Sequence, residues 1–113
     1  MPQPASTPHD RITAEVTSWP EVSAATGSRG EWSFKVGRIE IGHLHGNTVA
    51  HFFFEPETWR ELAAAGRITH HPVFPEKIGP ASRRIASDAD VDDVIALLRL
   101  NYERRMGSDV DAG

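Results

Sequence analysis

Residues 38–54 read RIEIGHLHGNTVAHFFF. Gly46-Asn47 between two apolar runs is a hairpin signal, so the stretch predicts two antiparallel strands joined by a two-residue turn. It carries His43, His45 and His51, three of the six histidines of the chain. A further strand precedes it, because Trp32, Phe34 and Val36 alternate with Glu31, Ser33 and Lys35, and Gly37-Arg38 is short enough to turn. With two-residue turns at both ends, Val36 lies opposite Ile39, Phe34 opposite Ile41 and Phe52, and Trp32 opposite His43 and Ala50. One face is then apolar, with His43 and His45 at its end beside Trp32. The other sets Lys35 against Glu40 and places His51 over Gly42. A three-residue turn would instead bring His43 and His51 onto one face.

Outward from this meander, the N-terminal residues 1–7 have nothing to bury and predict a disordered tail. Thr7 caps a helix opened by Pro8, with Ile12, Val16 and Trp19 on one side, and Pro20 ends it. Residues 21–30 read as a loop. After the third strand, Pro56 opens a second helix with a stripe of Trp59, Leu62 and Ala63, closed by Gly66. Residues 67–71 suggest a short edge strand. The proline-rich stretch 72–80 is an irregular loop whose Val73, Phe74 and Ile78 can fold over a neighbour. A weaker strand signal covers 81–86, and Ser87 caps a last helix with Val91, Val94, Ile95, Leu98 and Tyr102 in one stripe. Residues 106–113 read as a frayed tail. Together these elements predict one domain over residues 8–105, a two-layer α+β fold with helices packed on one face of an antiparallel sheet.

A chain of 113 residues with a formal charge of −4 lacks the basic excess of a dedicated nucleic-acid binder. With no cysteine, thiolate catalysis, disulfides and cysteine metal sites are excluded. No apolar run reaches membrane-spanning length and no signal sequence is evident, so a soluble, cytoplasmic protein is the expectation. An outward-facing Phe53 on a very apolar strand suggests a homodimer.

The histidines carry the chemistry on offer. His43 and His45, two apart on a strand, project side by side and suit one metal ion, with His71 or His70 as a third ligand. Alternatively they act as general bases: an imidazole against Trp32 in a partly dry cleft stays neutral and can take an acidic enol or phenol proton. Of His70 and His71, only one can line a given pocket, and Pro72 favours His71 by holding it extended. His51 lines a pocket on the second face or marks a partner surface. Glu40 reads as a solvated partner of Lys35.

The segments GRIEIGHLHG (37–46), HFFF (51–54), GRITHHP (66–72) and IALLRLNYE (95–103), in this order, resemble the luciferase-like domain shared by fungal luciferase and many small bacterial proteins. The resemblance spans about Trp32 to Tyr102 and is most specific at Glu40 to His45, His51 and His71-Pro72. It implies a cofactor-independent oxygenase that adds dioxygen to a small electron-rich hydroxylated substrate. On that view His43 and His45 are base and oxyanion partner and His71 closes the site. Trp32 forms a pocket wall, with His51, His70 and Phe74 as further substrate contacts. The hairpin between His45 and His51 is shorter than in the fungal enzyme, and Ala81-Ser82 stand where a tryptophan is expected, so light emission is not implied. Two other readings stand beside it: a non-catalytic ligand- or protein-binding module, and a metal-binding protein using His43, His45 and His71. The layout also resembles small double-wing domains, some of them DNA-binding, against which the acidic balance argues.

Overall fold

The computed structural model describes residues 6–112, with side chains through residue 107. Its elements are α1 (Pro8–Val16), β1 (Val22–Thr26), β2 (Trp32–Val36), β3 (Ile39–His45), β4 (Val49–Phe53), α2 (Pro56–Ala64), β5 (Thr69–His70), β6 (Pro80–Arg84) and α3 (Asp88–Ala112). The six strands form one antiparallel sheet in the order β1-β2-β3-β4-β6-β5. The α+β architecture with a meander is as the sequence predicts. Among the described residues, no helix is long and apolar enough to cross a membrane.

The helices form where local signals place them. Thr7 caps α1 by accepting the Asp10 N–H at 3.0 Å. Gly66, past the end of α2, adopts the left-handed conformation its stop signal implies. All three helices pack against the same face of the sheet. Ile12 and Val16 of α1, Trp59 and Leu62 of α2, and Val91, Val94, Leu97, Leu98 and Tyr102 of α3 meet Phe34, Leu44, Ala50, Phe52 and Ala81 in a single core. Polar ties brace the rim of this layer. Arg83 of β6 donates to Asp90 at 2.6 Å, Arg67 to Asp93 at 2.6 Å, and the Tyr102 hydroxyl to the Pro20 carbonyl at 3.0 Å.

Three expectations are corrected. Residues 22–26, read as loop, form β1, which pairs along the whole of β2 from Val22–Val36 to Thr26–Trp32. Ser-Ala-Ala has little strand preference of its own, but the open edge of β2 supplies a row of hydrogen-bonding partners that outweighs it. The last helix continues through residues 106–112, where fraying is expected. The expected tail at 1–7 falls mostly outside the described residues.

The third correction decides where the histidines go. His45 pairs with Val49, so the hairpin loop holds three residues, Gly46, Asn47 and Thr48. The β2–β3 ladder also carries a bulge: Lys35 pairs with Glu40 but Phe34 with Gly42, leaving Ile41 as an extra residue. Beyond the bulge Trp32 pairs with Leu44, and Leu44 with Ala50. Leu44 therefore enters the core, while His43 and His45 turn to the other face to join His51. Gly42 allows this, because a Cβ there would lie 2.6 Å from Leu98 Cδ2 and 3.0 Å from Phe52 Cδ1. From α3, Asn101 donates to the Ile41 carbonyl at the bulge (3.0 Å).

Candidate active site

On the face away from the helices, β3 and β4 place three imidazoles at neighbouring positions. His43 pairs directly with His51, and His45 sits two residues further along β3. Ring centroids are 4.9 Å apart for His43–His45, 5.3 Å for His43–His51 and 4.7 Å for His45–His51. One nitrogen from each ring lies within 4.8 Å of the others. A fourth imidazole arrives on this same face from the β5 edge of the sheet. Thr69 pairs with Ser82 and Ser82 with His51, and the chain leaving β5 sets the His71 ring 4.0 Å from that of His51.

The four rings line a hollow of about 570 Å3 whose other walls include Val49, Phe53, Val73, Phe74 and Pro80. Arg29, Glu31 and Glu40 add charged groups to the lining. Apolar walls with a few convergent polar groups are the usual make-up of a small-molecule site.

Hydrogen bonds fix the protons on two rings. Glu40 Oε2 lies 3.0 Å from His43 Nδ1, and a carboxylate can only accept, so His43 carries its proton on Nδ1 and keeps a lone pair on Nε2. The other Glu40 oxygen accepts from Ser33 Oγ at 2.6 Å, which completes a Ser33–Glu40–His43 relay. Burial alone would raise the Glu40 carboxyl, but the bonds from His43 and Ser33 outweigh it and the net direction is down. At His71 the roles reverse. Its Nδ1 accepts the Val73 N–H at 3.1 Å, so in the neutral ring the proton sits on Nε2 as a donor.

Burial pushes the His51 imidazole down to about 4, and repulsion from protonated forms of His71, His43 and His45 adds to it. His71 is lowered for the same reasons, burial first and then His43 and His45. His51 is only 8% exposed, and its Nδ1 has no hydrogen-bond partner among the described residues. Such an orphaned polar group costs about 1–3 kcal/mol in a folded protein.

The luciferase domain family matches residues 38–101 of the chain, the span from β3 to the middle of α3. The chain belongs to that family. No curated protein and no solved structure matches it.

Within this luciferase domain, the residues singled out from sequence divide between the two faces. His43, His45, His51, His71 and Phe74 come together at the hollow. Trp32, expected as a pocket wall, lies on the helix face: its Nε1 donates to Thr13 Oγ1 of α1 at 3.0 Å and its ring is 5.4 Å from that of His9. His70, paired with buried Ala81, likewise turns to the helix side and packs at 4.6 Å on Trp59. The bulge and the longer turn are the reason for the Trp32 correction, since they move its predicted neighbours to the other side of the sheet. In the grouping of nitrogens, His51 takes the place expected for His71.

Glu40 is the residue the sequence reading undervalued. Lys35 is its ladder partner as expected, yet its carboxylate bonds His43 and Ser33. The signal was Gly42 two residues after it, a glycine inside a strand and therefore a sign of a bulge that would bring Glu40 and His43 to one face.

Proposed function

We propose that the histidine hollow is the active site of an oxygenase of the luciferase-like kind, acting on a small electron-rich hydroxylated substrate. The observation that carries this reading is the Ser33–Glu40–His43 relay. A carboxylate holding Nδ1–H orients the ring, leaves Nε2 as a base, and stabilises the imidazolium formed when a proton arrives.

The chemistry follows from the two tautomers. The proton of an acidic enol or phenol passes from the substrate oxygen to His43 Nε2. The anion left behind is met by the His71 Nε2–H donor. A carbon of this electron-rich anion bonds dioxygen, which is reduced to the peroxide level, and the peroxide oxygen takes back the proton held by His43. Phe53, Val73 and Phe74 limit the access of water to that anion.

The test is oxygen uptake across a panel of hydroxypyrones and polyphenols. Wild-type protein should consume oxygen with at least one member, and His43→Ala should lower the rate by about 10²–10⁴-fold, the usual worth of a positioned base. A wild type that binds panel members without consuming oxygen would make this a binding module. Equal rates with His43→Ala would remove His43 from the mechanism.

A further inference from the structure

We infer that His43, His45 and His51 together hold one divalent first-row transition-metal ion, the class that three imidazoles select. This rests on the oxygenase reading above and replaces one part of it: with His43 Nε2 on the ion, the substrate hydroxyl ionises by coordination and not by proton transfer to His43.

Four features converge on it. The three ring nitrogens already lie within 4.8 Å of one another. Around a tetrahedral ion with bonds near 2.05 Å they would be about 3.4 Å apart, so the gap to close is small. His45 is exposed and can turn to close it, while His43 and His51 are held in place. His43 donates Nδ1–H to Glu40, the carboxylate–histidine arrangement that orients metal-ligating imidazoles and raises their basicity. His51 is more than nine-tenths buried beside the group and has an unpartnered ring nitrogen.

Of the charged groups that line the pocket, two are carboxylates, Glu31 and Glu40, against the one guanidinium of Arg29, and Glu31 holds its carboxylate by accepting the Arg29 backbone N–H at 3.0 Å. His71 stays outside the ligand set, since its Nδ1 is engaged by the Val73 N–H. Three protein ligands leave further coordination positions, the pattern of catalytic rather than structural sites. A substrate hydroxyl entering from the hollow would bind there and release its proton to solvent water, and the His71 Nε2–H is placed to donate to the anion that remains.

The experiment uses full-length protein without a polyhistidine tag, stripped with a chelator and titrated with zinc(II) by calorimetry and with cobalt(II) by visible absorption. The expected result is one ion per chain with sub-micromolar affinity and a cobalt spectrum of low coordination number. His45→Ala should weaken binding by about a hundredfold or more, and Glu40→Gln by about 10–100-fold. His9→Ala should leave it unchanged. His51→Ala is informative if circular dichroism shows it folded; His45→Ala, at an exposed position, decides the matter in any case. Absence of binding at micromolar ion, or affinity unaltered in His45→Ala, overturns the metal site. Oxygen uptake by stripped protein that binds no ion would overturn it while leaving the oxygenase reading intact. Tight, His45-dependent binding without any oxygen uptake would do the reverse.

Discussion

Phe34 and Ser33 are neighbours on β2 and end on opposite sides of the sheet. Phe34 is fully buried under the helices, in a layer where polar groups are confined to the rim. Ser33 is buried too, but it serves Glu40 and through it His43. The two faces use alternate residues of the same strands for opposed purposes. One removes apolar surface from water and supplies the folding energy. The other gathers four imidazoles and leaves one of them short of a hydrogen bond, which costs folding energy.

The largest expected effect tests that division directly. Phe34→Ala should lose about 3–5 kcal/mol in urea unfolding, the range for removing a buried aromatic ring. Ser33→Ala, one residue away, should lose less, about 1.5–3 kcal/mol, the range for a hydrogen bond to a charged acceptor. Equal losses would mean that the histidine face carries as much of the fold as the helix face does.

How far the two faces could be told apart in the sequence depends on the strand. On β2 and β4 the alternation was readable, since Trp32, Phe34 and Val36, and then Ala50 and Phe52, fall on the core side as expected. Among these three strands, only the second half of β3, Gly42 to His45, was misplaced. The bulge at Ile41 and the third loop residue each add one position, and the two additions cancel between β2 and β4. Trp32 still lines up with Ala50, now through Leu44 instead of His43. A slip confined to one strand leaves the hydrophobic pattern of its neighbours untouched, so nothing in them reported it. Leu44 and Gly42 did carry a warning, because the two-residue register put the leucine on the polar face. The gathering of His43, His45 and His51 was thus foreseeable only as the consequence of a three-residue turn. The approach of His71 depended on the β5–β6 pairing, which no local pattern encodes.

The next effect concerns what the histidine face costs. With a folded pKa of about 4 against an ordinary value of 6.5, His51 binds fewer protons in the native state than in the unfolded chain. Stability should therefore be full above the ordinary histidine value and fall as the pH drops from 6.5 towards about 4. His71, lowered in the same direction, adds to the slope. Replacing the ring by an apolar one, His51→Leu, should flatten that slope. It should also raise stability at neutral pH by about 1 kcal/mol, because the unpartnered nitrogen is gone. Melting curves of chelator-stripped protein across this interval check both. A variant with an unchanged slope would show that the pH response arises elsewhere, and a destabilised one that His51 is a packing residue after all.

The smallest effect on folding should come from the apolar ring that the second face leaves in the open. Phe53 is 66% exposed on the wall of the hollow, its ring lying over Gly79 at the end of the 71–79 loop, where a Cβ would come within 2.8 Å of it. Because the ring is mostly hydrated already, Phe53→Ser removes little apolar burial and should change stability by no more than about 0.5 kcal/mol. Its contribution is expected on ligand binding, when an aromatic substrate would cover the side of the ring now facing water. Burying part of a phenyl ring is worth about 1–2 kcal/mol, so KM should rise roughly tenfold with kcat retained, the signature of binding shared by ground and transition states. The contrast with Phe34→Ala is then complete, one ring per face, one governing folding and the other affinity. A Phe53→Ser protein as unstable as Phe34→Ala would place Phe53 in the core's service, and an unchanged KM would mean that the substrate sits deeper, among the imidazoles alone.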